Sequence, residues 1–289
     1  MTEVTTTEVE LNTGTPLWAL QDLPPFPAVA TQLLSLLSTE EIALDDVSRL
    51  IASDPVFAAD VLQIANSALF SLQCEVKSVS HAIVVLGLER VKGISLTRAL
   101  GNYMSPTLKV QALRRCWTHS LAGAILAEKL ARTAGLATEV AYTAGLLRDI
   151  GRLAMLVKYP ESYANMLIVT QENDFDLLAT ERDLFEIDHC QAGCWLTAKM
   201  QITKELRDVV AHHHDAQEGG AFGLVQLVRA ADLLAESLGF GALNDPEPTP
   251  FADNLKEIPE AVRNCFQEGA ENLKMEIEGR MRVLTPAAR

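Results

Sequence analysis

The sequence predicts an all-α fold, and three observations carry that prediction. Apolar residues recur at three- and four-residue spacing in segment after segment, as they do on amphipathic helices. Capping residues, glycines and prolines punctuate those segments at helical intervals. No segment alternates convincingly as a half-buried strand does, and no repeat of fixed period is present. Composition agrees: 48% of the 289 residues are hydrophobic and only 6% aromatic, with alanine and leucine plentiful.

In chain order, residues 1–18 are rich in Thr and Glu and are expected to form a flexible tail. Leu23-Pro24-Pro25-Phe26-Pro27 cannot be helical before its last proline, which can serve as a first helical position. Val29, Leu33, Leu36 and Leu37 then share a face. Ser38-Thr39-Glu40-Glu41 has the spacing of a capping box ahead of Leu44 to Ala52. Asp54-Pro55 pairs an N-cap with a first-turn proline for Val56 to Asn66. Ser78 opens a helix that Gly87-Leu88 interrupts before Arg90 to Leu100. After Pro106, a long helix from Leu108 to about Thr133 ends at Gly135. Helices over Tyr163–Glu172 and Leu177–Glu181 follow Pro160. Asp188-His189-Cys190-Gln191 reads as a capping box for a helix reaching Met200, and Thr203 starts one that ends in His212-His213-His214. Phe222 to Leu238 is apolar and contains Asp232. Gly239 to Pro259 reads as an acidic, proline-rich loop, and Glu260 to Leu284 as one final helix with a continuous apolar stripe.

The segment Ala141 to Leu156 is apolar on almost every side and predicts a helix, capped by Thr138, buried in the core. Asp149 is its exception. Gly145, Leu146 and Leu153 surround it on the helical wheel, so a carboxylate there needs a cation, a metal or several hydrogen bonds.

Bulk properties exclude several classes. A net charge of −14, with only small basic clusters such as Lys109, Arg114 and Arg115, argues against nucleic acid as the main partner. No apolar run is long enough for a membrane span, and the acidic N-terminus lacks the features of a secretory signal. Five scattered cysteines suit free thiols in a reducing cytoplasm.

Five of the six histidines (His119, His189, His212, His213 and His214) lie on or beside helices that must pack around Asp149 and Asp232. Imidazoles and carboxylates converging in a helical core are the raw material of a metal site. Cys190 and Cys194, one helical turn apart, have the spacing of two ligands but read as small buried hydrophobes. The histidine triplet also suits a helix C-terminus stabilised by imidazolium.

Eight short stretches in order resemble the HDOD domains, a helical branch of the HD metal-dependent phosphohydrolase superfamily. They are Leu23–Val29, Ile51–Pro55, Ile64–Ala68, Ser80–Gly87, Trp117–Ser120, Ala144–Gly151, Asp188-His189 and His212–Asp215, so the resemblance covers roughly 19–215. It implies an N-terminal helical subdomain over 19–104 and an HD-like bundle over 108–215. The last HD-like helix would lie in 216–239, and 240–289 would hold the loop and C-terminal helix. The superfamily's metal chemistry uses a first His, an adjacent His-Asp pair and a later Asp. By resemblance these fall on His119, on Arg148-Asp149 and on Asp232, with His189 and one of His213 or His214 near the extra positions of two-metal members. The departure is Arg148, which stays protonated and has no lone pair for a metal.

Two arrangements are open. Arg148 can fold in and satisfy Asp149 or Asp232 by bidentate hydrogen bonds, leaving a pseudo-site without metal. Alternatively Arg148 and Arg152 form a solvated stripe, and a weak site of His119, Asp149 and Asp232 remains for a divalent metal. The resemblance favours a non-catalytic, cytoplasmic bacterial regulatory module that needs no cofactor and acts on signalling proteins or a small ligand. A residual metal-dependent phosphohydrolase acting on nucleotides or cyclic dinucleotides, and a homodimeric scaffold built on the C-terminal helix, are the alternatives.

Overall fold

The structure, a computed structural model, describes residues 18–23, 26–36, 44–215, 222–243, 247–266 and 269–285. Among these every regular element is helical and none is a strand. The N-terminal part comprises α1 (Ala28–Leu36), α2 (Leu44–Ala52), α3 (Pro55–Ala65), α4 (Val79–Leu86) and α5 (Leu88–Met104). Its helix starts follow the sequence signals. Asp54 accepts from the backbone N–H groups of Val56 and Phe57 at 2.9 and 3.1 Å with Pro55 in the first turn, and Ser78 accepts from His81 N–H at 3.1 Å. Gly87, at φ 90°, lets α4 pass directly into α5 in a conformation that a side chain would strain. Helix α5 is buried along most of its length and packs on α1, α3 and α4, with the Arg98–Asp60 ion pair at 3.0 Å joining it to α3.

The bundle follows as α6 (Gln111–Ala134), α7 (Thr138–Leu147), α8 (Ile150–Lys158), α9 (Pro160–Glu172), α10 (Leu177–Phe185), α11 (His189–Lys199), α12 (Lys204–His212) and α13 (Leu224–Ala235). Helix α6 is its pillar, burying Leu113, Trp117, Leu121, Ile125 and Leu130 against neighbours that include α7, α8, α9 and α13. It ends at Gly135 in the left-handed region. A capping box between Asp188 and Gln191 opens α11. Beyond α13, a wide turn over Glu236–Phe240 leads to α14 (Phe251–Asn254), α15 (Glu260–Arg263) and α16 (Ala270–Leu284). Helix α16 buries Leu273, Ile277, Met281 and Leu284, packing on α6 and α5.

Four expectations need correction. The buried helix through Ala141–Leu156 is two helices, broken at Arg148-Asp149. Ala137, not Thr138, precedes its first turn, and the Thr138 hydroxyl donates to Glu139 instead. The final helix is also broken: the apolar stripe is shared by α15, a short turn and α16, whose start Gly269 marks at φ 81°. The acidic loop carries α14, tied to α13 by Asn254 Nδ2 donating to the Leu233 carbonyl at 2.9 Å. The capping box over Ser38–Glu41, residues 1–17 and residues 216–221 lie outside the described residues.

Candidate functional site

The break between α7 and α8 builds the site. Asp149 sits at φ −96°, ψ 19°, in the sparsely populated region between α and β that many active-site residues occupy. Unwinding there lets consecutive residues, Arg148 and Asp149, both stay in the core, at 0% and 1% exposure. Glycines make the room. A Cβ at Gly123 of α6 would overlap the Arg148 guanidinium, whose Cζ would lie 2.7 Å away. A Cβ at Gly151 would overlap the His189 carbonyl, so α8 and α11 meet backbone to backbone and hold His189 over the break.

One half of the site gathers His119 from α6, Arg148, Asp149 and Asp232 from α13. Arg148 Nε and Nη2 both reach Asp232 Oδ1, at 3.0 and 2.7 Å. Its Nη1 donates to the Gly145 carbonyl at 2.6 Å, and Nη2 to the His119 carbonyl at 3.3 Å while lying 3.4 Å from Asp149 Oδ2. His119 faces acceptors on both sides, the Phe240 carbonyl 3.0 Å from Nδ1 and Asp232 Oδ1 2.8 Å from Nε2. Burial alone would raise the Asp149 carboxyl, but the charges of Arg152 and Arg148 overcome it and hold it well below the usual carboxylate range. Burial likewise opposes ionisation of Asp232, and Arg148 and His119 hold that carboxyl low. Burial and the nearby Asp232 charge push the Glu236 carboxyl up.

The other half gathers His189 and Cys190 from the start of α11 with His213 and His214 from the end of α12. Glu181 of α10, fully buried, accepts from the His189 backbone N–H at 2.8 Å and from its Nδ1 at 2.7 Å. That fixes the ring with its lone pair on Nε2, where Arg152 Nη2 lies at 3.1 Å and His214 Nε2 at 3.0 Å. Burial and the Arg152 charge hold the His189 imidazole below its ordinary value, so it stays neutral. Burial opposes ionisation of Glu181 as well, and the His189 contacts and Arg152 more than offset it. The Tyr163 hydroxyl donates to the same carboxylate. Burial pushes the Cys190 thiol up.

Asp149 is the hinge of the two halves. Arg148, Arg152, His119, His189 and His213 surround its oxygens at 3.4 to 3.7 Å. Neither oxygen, nor His213 Nε2, has a hydrogen-bond partner among the described residues.

Donor atoms of His119, Asp149 and Asp232 lie within 4.8 Å of one another, as do those of His189, Cys190, His213 and His214. A divalent metal does not fit the first set. Arg148 already holds Asp232 and lies 3.4 Å from Asp149, which puts a fixed positive charge among the three donors. The second set has the nitrogen and sulfur donors of a softer ion, but Arg152 leans on the His189 lone pair.

The structure thus brings together the residues that the resemblance placed at the site: His119, Arg148, Asp149, Asp232, His189, His213 and His214. The solvated arginine stripe is overturned, since Arg148 and Arg152 are 0% and 2% exposed. Arg148 does not bridge two carboxylate oxygens; its fork closes on one oxygen and uses backbone carbonyls for the rest. Of the two cysteines, Cys190 joins the histidines and Cys194 does not. His212 turns away to Asp215, 2.7 Å from its Nδ1. Sequence reasoning missed Arg152 as an Asp149 partner, although three-residue spacing on a helix was a usable signal. Glu181 had no such signal, because it belongs to another helix and meets His189 only through packing.

The family pattern of the HDOD domain matches residues 23–216. The chain belongs to the HDOD family. A solved HDOD domain protein of unknown function from Geobacter sulfurreducens superposes with a TM-score of 0.67 at 23% identity, covering 91% of each chain. A proposed phosphohydrolase from Shewanella amazonensis gives 0.65 at 22%, covering 92% of this chain and 93% of its own. A proposed signal transduction protein from Marinobacter aquaeolei gives 0.68 at 22%, covering 91% of this chain and 60% of its own. At such identities the likeness speaks for the fold. An uncharacterized Treponema pallidum protein is 20% identical over 198 residues, 68% of this chain, and the match spans 38% of that protein's length. No helix among the described residues is long and apolar enough to cross a membrane.

Proposed function

We propose that this HDOD chain is a non-catalytic signal-transduction or regulatory module, its HD-like centre held together by arginine in place of metal. One observation carries the reading: the fully buried Arg148 guanidinium clasps Asp232 while lying beside Asp149. Hydrolysis of the superfamily kind needs a metal to lower the pKa of a bound water. A fixed cation neutralises the same carboxylates without generating hydroxide. What remains is a rigid core that ties α6, the α7–α8 break and α13 together and presents binding surfaces to signalling proteins or a small ligand. The Marinobacter relative's description, a proposed signal transduction protein, agrees with this reading.

Elemental analysis of purified, tag-free protein beside an Arg148→His variant tests it. The native protein is expected to be free of stoichiometric divalent metal and the variant to acquire it. One equivalent in the native protein overturns the reading.

A second reading, a residual metal-dependent phosphohydrolase, draws on the unpartnered Asp149 oxygens and His213 Nε2 and on the description of the Shewanella relative. It requires turnover that Asp149→Ala abolishes. The dimeric scaffold is less favoured, because α16 spends its apolar stripe on the chain's own body.

A further inference from the structure

On the far side of α6 from the break, a cleft of about 310 Å³ lies where α5, α6, α7 and α16 meet, joining all three parts of the chain. That is at the small end of ligand cavities, which run roughly 300–1,000 Å³. Three guanidinium groups share one carboxylate there. Arg132 Nη2 is 3.2 Å and Arg90 Nη2 3.8 Å from Glu128, and Arg280 also donates to it. Other acids of the cleft are engaged elsewhere: Glu89 with Lys92 at 2.8 Å, Glu276 with Lys129 at 2.5 Å, and Glu139 with the Thr138 hydroxyl at 2.7 Å. Each guanidinium carries five donors, whereas one carboxylate offers about four acceptor sites. The buried Arg280 Nε–H has no acceptor among the described residues. Even with Glu139 counted against the arginines, one positive charge is in surplus, in a chain of net charge −14. Beside the arginines the wall is flat and apolar. Phe70 lies under the Arg90 guanidinium at 6.0 Å, and the largely buried Tyr142 ring, packed on Gly93, borders the cleft.

We propose that this cleft binds a flat, anionic small molecule of the nucleoside monophosphate class, its phosphate on Arg90, Arg132 and Arg280 and its ring on the Phe70–Tyr142 wall. Guanidinium forks match phosphate geometry, and aromatic faces accept a planar ring without a specific edge. The ligand would clamp α16 to the N-terminal part and bundle. The inference deepens the binding-module reading by naming a ligand, and it rests on that reading for its role as a signal input. Binding is tested apart from the metal question.

Isothermal titration of the full chain with AMP, GMP, CMP and UMP, beside adenosine and inorganic phosphate, is the test. At least one nucleotide is expected to bind about tenfold or more tightly than adenosine or phosphate. Arg132→Gln, which leaves the Arg280–Glu128 clasp intact, is expected to weaken that nucleotide about tenfold with the thermal midpoint of the free protein unchanged. Hydrogen exchange in α16 is expected to slow on binding. Absence of binding by all four nucleotides at millimolar concentration overturns the proposal. So does unchanged affinity in Arg132→Gln, or phosphate binding as tightly as the nucleotide, which would mark an adventitious anion only. Arg148→His is expected to bind like the native protein; loss of binding there would move the ligand to the α7–α8 break and sink the cleft.

Discussion

The two halves around Asp149 use the same residue types and reach opposite electrostatic solutions. In the His119–Arg148–Asp232 half, a permanent cation and an imidazole meet carboxylates in a sealed cradle. In the His189–Cys190–His213–His214 half, a neutral imidazole is steered by Glu181 and leaned on by Arg152, and His214 stands exposed at the surface. One half is held by an arginine whose charge does not change near neutral pH. The other depends on an imidazole remaining unprotonated.

Removing the shared hinge should do most damage. Asp149→Ala leaves Arg152 buried without its ion-pair partner and Arg148 with Asp232 alone, and loss of one partner from a buried pair costs about 3–5 kcal/mol. Urea denaturation should show a fall of that size, and a loss under about 1 kcal/mol would mean that Asp149 does not neutralise the arginines. Next comes the cradle. Gly123→Ala drives a methyl into the Arg148 guanidinium and should cost about 1–3 kcal/mol, as overpacking does. The same change at Gly279, inside α16 where a Cβ meets nothing, should be neutral or stabilising by up to about 1 kcal/mol, and equal losses would deny the cradle its role.

Acid should separate the halves with the smallest effect. His189 is held below its ordinary value, so the unfolded chain binds a proton that the folded chain refuses. Its contribution is complete above about pH 6.5 and is lost as pH falls below that, by up to about 1.4 kcal/mol per pH unit. Asp149 and Asp232 are also held low, so their contribution is complete above the unfolded carboxylate value of about 3.9 and is lost only as pH falls through their lower folded values. Stability should therefore decline in two stages. In His189→Gln the upper stage should shrink, leaving the share of His214, which partial burial also holds low, while the lower stage stays; an unchanged upper stage would show that His189 is not what acid attacks.

Much of this was legible in the residues. Local signals set the helix starts at Asp54, Ser78 and Asp188, because a cap depends on neighbours three residues away and little else. The ordered set His119, Arg148-Asp149, Asp232 and the later histidines marked the candidate site, since residue type alone says that arginine has no lone pair for a metal. The break at Asp149 was not legible. Its surroundings favour helix, and what unwinds the chain is the gain from satisfying buried charges on α6 and α13. Nor did sequence place Glu181 on His189, Arg152 in the core or Glu128 under three arginines, for these are meetings of side chains from different helices or of a helix with its own buried turn. By itself, then, the sequence determined an all-α HDOD chain with an arginine next to its core aspartate, because periodicity, caps and residue chemistry are local properties. Only the tertiary structure decided that Arg148 points inward and that three arginines meet at a cleft between α5, α6, α7 and α16, because burial and charge pairing belong to the packing of distant segments.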